Sequence, residues 1–205
     1  MIEMARKQLN IDLNIIIRPR GGDFLYTQTE LKVMKKDILV AKKLGVDGVV
    51  IGLLSADGEI NIRACEELIE IARPLNVTFH RAFDVCKNPI QALHTLIDLG
   101  IDRLLTSGQK NKAEDGLELI SELVKIANDK IIIMPGSGIN EMNFLKIKEG
   151  SKSREFHVSC RTAIESKMAF RKQEVKMGGV PDYDEYKQKY SDLNKLKSIM
   201  NQLNQ

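Results

Sequence analysis

The chain has 205 residues, 43% of them hydrophobic and 29% charged, enough apolar content for a sizeable buried core and too much for a disordered chain. Lys and Arg number 31 against 28 Asp and Glu, a net charge of +3, which gives no electrostatic case for nucleic acid or an anionic membrane as partner. Three cysteines, Cys65, Cys86 and Cys160, with no CxxC exclude a disulfide scaffold and read as reduced thiols of a cytoplasmic protein.

The chain opens on Ile2, Ala5 and Leu9, the rear of a helix with no strand before it and no apolar signal segment. Leu13–Ile17 is the first short apolar run of strand character. Thr29 is expected to cap a helix with the stripe Leu31, Met34, Ile38 and Ala41, ended by Gly45. Val46–Leu54 is the second strand. Asn61 opens a helix with Cys65, Leu68, Ile69 and Ala72 on one face, stopped by Pro74. Val77–His80 is the third strand, and Asn88-Pro89 starts a helix carrying Ile90, Leu93, Leu96 and Ile97 before Gly100. Arg103–Thr106 is the fourth strand, followed by the stripe Leu117, Ile120, Val124 and Ala127. Lys130–Met134 is the fifth, with a short helix from Asn140 to near Gly150. Glu155–Ser159 is the sixth. A loop at Gly178–Asp182 precedes a last helix with Leu193, Leu196, Met200 and Leu203. No apolar run is long enough to span a membrane.

Strand-type and helix-type periodicity alternate, so the expected fold is a parallel α/β domain over 1–205. Six strands suit a doubly wound sheet or an incomplete TIM-type (β/α) barrel, which needs two more. No GxGxxG follows a strand, whereas polar and glycine residues mark nearly every strand's C-terminal end. Both features favour the barrel, with an N-terminal piece missing.

The strand ends read IRPRGGDF, GVDGVVIG, TFHRAFD followed by Asn88-Pro89, LTSG, IIIMPGSGI and REFHVS, with Met168-Ala169-Phe170-Arg171 and Met177-Gly178-Gly179 further on. In this order the set resembles the CutC family. The resemblance implies strands three to eight of a CutC-like barrel, without the N-terminal strand–helix–strand segment in which the family's cysteines most often invoked for copper lie. It implies a copper homeostasis protein that binds or handles copper(I) in the cytoplasm, with copper(I) as its ion. The residue chemistry keeps open an alternative, an enzyme acting on a small anionic or phosphorylated substrate at the C-terminal rim.

The candidates at that rim are weighed one by one. Arg18 and Arg20, beside Gly21-Gly22, could clamp a carboxylate or phosphate, or pair with Asp23, Asp57 or Asp84. His80 is a candidate acid–base group or metal ligand, or a core histidine bonded to backbone. Asp84 is a second catalytic candidate; Arg81 could orient substrate or tie down its loop. Gly136-Ser137-Gly138 is either an anion-cradling loop or a plain tight turn. Cys86 is the cysteine expected at the chemical face and a thin copper ligand with His80; Cys65 is expected in the core. His157 and Cys160 fall on opposite sides of a strand. An open barrel leaves two strand edges, which would favour a homo-oligomer joined through the gap.

Overall fold

The computed structural model describes residues 1–172, 174–175 and 184–204. Its centre is a five-stranded parallel sheet of β1 (Asn14–Ile16), β2 (Gly48–Ile51), β3 (Asn76–Phe79), β4 (Arg103–Thr106) and β5 (Ile132–Pro135). The strands lie in sequence order, β1-β2-β3-β4-β5, and every neighbouring pair is parallel. A doubly wound sheet reverses its strand order part-way. This sheet does not, so the α/β chain is wound in one direction, as an arc of a barrel is.

Each crossover is a helix whose apolar stripe meets one face of the sheet. Helix α1 (Ile2–Gln8) precedes β1 and buries no residue. Helix α2 (Gln28–Lys43) buries Leu31, Met34, Ile38 and Ala41, the expected stripe. Its cap is Thr27 rather than Thr29. Glu30 completes a reciprocal capping box with Thr27, and a cap from Thr29 would forfeit that second bond. Helix α3 (Ile62–Ala72) is capped by Asn61 and buries Cys65, Leu68, Ile69 and Ala72. Helix α4 (Pro89–Asp98) is capped by Asn88, with Pro89 in its first turn. Helix α5 (Leu117–Ala127) buries Ile120, Leu123 and Ala127. Helix α6 (Phe144–Ser151) starts after Asn143, not Asn140, because the Asn143 Oδ1 accepts the Asn140 N–H and holds those residues in a turn.

Three expectations are corrected. The sixth strand, Glu155–Ser159, is reduced to one parallel bridge between His157 and Gly136. Glu155 is drawn away to a two-bond ion pair with Arg103 (2.6 and 3.2 Å), which takes it off the sheet's edge. An antiparallel pair, β6 (Arg161–Glu165) and β7 (Lys187–Ser191), was not expected. Its strands are mostly exposed and carry no apolar alternation. In α7 (Leu193–Leu203) the buried residue is Ile199, while Leu193, Leu196 and Met200 stay exposed. The predicted loop at Gly178–Asp182 and the Met177-Gly178-Gly179 motif lie outside the described residues.

Candidate functional site

The five strands point their C-terminal ends the same way, so the segments after them form one rim. After β3 the chain turns at once into a short 3-10 helix, Arg81–Val85, capped by the His80 side chain. The His80 Nδ1 accepts the Ala82 N–H at 3.1 Å. In the neutral ring the proton therefore sits on Nε2. The ring is 5% exposed, and Nε2 is buried with no protein partner. Burial, with the Arg18 charge adding, pulls its pKa down to about 4. Its neighbour Gly52 has no space for a side chain: a Cβ there would lie 2.2 Å from the ring. The absence of a side chain on β2's exit is what lets the imidazole fold inward.

Asp84 is the hub of a second cluster. Its carboxylate accepts from Thr106 Oγ1 (2.5 Å), the Ser107 N–H (3.0 Å), Ser107 Oγ (2.9 Å), the Gln109 N–H (3.1 Å) and Arg81 Nε (2.7 Å). Arg81 goes on to Ser107 Oγ at 2.8 Å and the Lys110 carbonyl at 3.2 Å. The pair thus ties the exit of β3 to the exit of β4. Little lone-pair capacity is left on Asp84 for a substrate.

Arg18 and Arg20 part company. Arg20 donates to Glu30 (2.6 Å) and to the carbonyls of Gly21 (3.0 Å), Asp23 (2.9 Å) and Leu25 (2.7 Å), and its guanidinium lies over Tyr26. It also pairs with the Asp23 carboxylate at 2.9 Å. Its donors are spent on the loop after β1. Arg18 donates to the Gly22 carbonyl at 2.9 Å and lies over the Phe24 ring at 4.8 Å. Among the described residues it pairs with no carboxylate.

After β5, the Gly136 N–H goes to the Thr106 carbonyl at 2.9 Å and Ser137 Oγ to the Asn111 carbonyl at 2.8 Å. Among the described residues the N–H groups of Gly138 and Ile139 donate to no protein acceptor. The stem of Lys112 lies against Gly138, about where a Cβ would be 3.0 Å from it. Gly136 itself is packed against Leu105 and His157.

Cys86 is buried near this rim, and its Sγ accepts from Gln109 Nε2 at 3.4 Å. Burial pushes the thiol up to about 11. Cys65 is fully buried in the core, as expected, and is pushed up to about 12. Cys160 is half-buried at the start of β6, and burial raises it too. Among the described residues no three His, Cys, Asp or Glu side chains are grouped to hold a metal ion. His80 is a poor copper ligand through Nε2, because that requires moving the ring proton to Nδ1, where the Ala82 N–H already points.

The CutC family model matches residues 1–162. The chain belongs to the CutC family. It is 50% identical over 190 residues to a CutC family protein of Parabacteroides distasonis, covering 93% of this chain and 78% of that protein. It is 45% identical over 199 residues to the human copper homeostasis protein cutC homolog, covering 97% of this chain and 73% of the relative. Among solved structures, CutC from Streptococcus agalactiae superposes with a TM-score of 0.73 at 34% identity, covering 76% of this chain and 78% of that one.

Sequence reasoning brought His80, Arg81, Asp84, Arg18 and the Gly136–Gly138 loop to one rim, and the structure places them there. It missed Phe24 and Tyr26, which sit on the loop after β1, and Thr106, Ser107 and Gln109, which hold Asp84. Thr106 and Ser107 lie inside the LTSG block, where two hydroxyls at a strand exit were the available signal.

Proposed function

We propose that this CutC family chain binds a small anionic molecule, carboxylate or phosphate, at the C-terminal rim of its sheet, and that any enzymatic chemistry takes place there. The observation that carries the reading is the exposed Arg18 guanidinium, which no described carboxylate neutralises, whereas Arg20 and Arg81 are each paired. The Gly138 and Ile139 N–H groups and Lys112 supply further donors of the kind an anion selects. Ten-millimolar phosphate should stabilise the chain by about 1.4 kcal/mol if the dissociation constant is about 1 mM, or about 3 °C in melting temperature for a chain of this size. Arg18→Ala should remove most of that shift, and Lys112→Ala part of it. A parent protein whose melting temperature ignores millimolar phosphate sinks the reading.

Relatives are named for copper homeostasis, and we propose as a second reading that this chain handles copper(I) in the cytoplasm, with copper as cargo. Of the described thiols at the rim, Cys86 is the one placed to take part, and binding there must displace a proton held up to about 11. Copper(I) titration should show weaker binding in Cys86→Ser and unchanged binding in Cys65→Ser. Undiminished binding in both variants removes Cys86 from the copper site.

A further inference from the structure

Two buried polar groups near the rim have no hydrogen-bond partner: His80 Nε2 and the Tyr26 hydroxyl. Both residues are at least nine-tenths buried, with exposures of 5% and 9%. A buried donor left unmade costs about 1–3 kcal/mol, and each such group in a native fold asks for a reason. The two are tied to the same neighbours. The Phe24 ring lies 5.1 Å from the His80 ring, and the Arg18 guanidinium lies over the same Phe24 ring, 4.8 Å from its centroid. The Arg18 charge acts on both Tyr26 and His80. Burial raises the pKa of the Tyr26 hydroxyl and Arg18, approaching as a donor, lowers it; a guanidinium cannot accept, so the tyrosine proton itself has no acceptor.

We propose that His80 Nε2, the Tyr26 hydroxyl and Arg18 form a subsite for the carboxylate of a small organic acid, covered by Phe24 in this structure. This rests on the reading of the rim as an anion site and narrows its ligand. The chemistry follows from the donors. His80 is neutral with its proton on Nε2, held there by the Ala82 N–H on the other nitrogen. It offers a donor without a charge. The tyrosine O–H is a second neutral donor, and Arg18 supplies one positive charge. A planar monoanion with two acceptor oxygens satisfies that set, one oxygen to each neutral donor. The Phe24 and Phe79 rings lie 5.1 and 6.1 Å from the His80 ring, so a ligand that reaches Nε2 must shed water. A phosphate dianion would leave behind much more hydration for the same single countercharge. The ligand's remaining carbon atoms would lie toward the aromatic rings.

Entry requires Phe24 to move. It is borne on a loop whose other end is Gly21-Gly22, with Gly22 at φ +80° and open space around Gly21. The backbone on either side is held, by Arg20 at the Asp23 and Leu25 carbonyls and by the Leu54 N–H at the Phe24 carbonyl, so the motion required is a turn of the Phe24 side chain about its own bonds.

The test uses the whole chain and pyruvate as probe, with inorganic phosphate in parallel. The protein has three histidines, so the His80 imidazole signals in a long-range proton–nitrogen spectrum can be assigned with His80→Gln. Pyruvate should shift the His80 Nε2 signal saturably, and Tyr26→Phe should weaken pyruvate binding by about tenfold, the loss of one hydrogen bond to a charged ligand. The phosphate-dependent rise in melting temperature should survive Tyr26→Phe. Phe24→Ala should keep the pyruvate shift and speed its onset. A His80 signal that pyruvate leaves unmoved in both the parent and Phe24→Ala overturns the subsite, as does unchanged pyruvate affinity in Tyr26→Phe. If phosphate stabilisation persists in those cases, the subsite alone fails. If both responses are absent, the rim reading fails with it.

Discussion

Asp84→Ala will destabilise the fold by about 3–5 kcal/mol, because several buried donors lose their acceptor at about 1–3 kcal/mol each. The carboxylate is 5% exposed. Removing it strands the Ser107 and Gln109 N–H groups and two hydroxyls without their acceptor, while the partly exposed Arg81 guanidinium can turn to water. Thr106 and Ser107 are fully buried, so their donors cannot turn outward. For a chain of about 200 residues the melting temperature should drop by roughly 10 °C. Asp84→Asn keeps one acceptor oxygen but turns an NH2 toward donors, and should lose about half as much. Urea denaturation of the two variants measures this. A loss under about 1 kcal/mol in Asp84→Ala would mean that the carboxylate is not the tie between β3 and β4, and would return it to the catalytic candidates.

The strand–helix alternation was legible because each element repeats a period that the fold enforces. The stripe Leu31, Met34, Ile38 and Ala41 must face the sheet, and it does. Legibility ended where packing stops imposing a period. Arg161–Glu165 and Lys187–Ser191 pair through backbone bonds with their side chains mostly in solvent, so nothing in the residue pattern marks them. Glu155–Ser159 has a strand's composition, yet Arg103 holds Glu155 and leaves one bridge at His157. In the site, residue types predicted location but not employment. Arg18 and Arg20 are two positions apart on one loop. Only the fold shows that Arg20's donors are spent on Glu30 and three carbonyls while Arg18 keeps its charge at the rim. Asp84 reads as a catalytic acid on a strand exit, but its acceptors are spent on backbone N–H groups that a sequence does not display. Tyr26 looks like a core aromatic, and its packing is indeed core; its unmatched hydroxyl is visible only when every neighbour is placed.

Stability will fall as the pH drops from about 6.5 to 4, and His80 will carry a separable part of the fall. Its pKa is 6.5 when unperturbed and about 4 in the folded chain. Between those values the unfolded chain binds a proton that the folded chain refuses, so stability rises with pH across this window and is lost on acidification. Above pH 6.5 both states are neutral at this residue and no dependence remains. The full difference is worth about 3 kcal/mol, and about 2.5 kcal/mol of it should be gone by pH 4.5. The cause is burial first and the Arg18 charge second, so Arg18→Gln should raise the His80 pKa and shrink the effect. His157, lowered in the same direction by burial and Arg161, and the carboxylates of Glu30, Asp47, Glu67 and Glu114, held down by their hydrogen bonds and ion pairs, add their own losses on acidification. The comparison is therefore between slopes. Urea midpoints taken from pH 7 to 4.5 should fall more steeply for the parent than for His80→Gln, whatever the substitution costs at neutrality. Parallel curves, or a His80 resonance that titrates near 6.5, would show that the ring is open to water and that its Nε2 proton is not held in the buried position from which it meets a ligand.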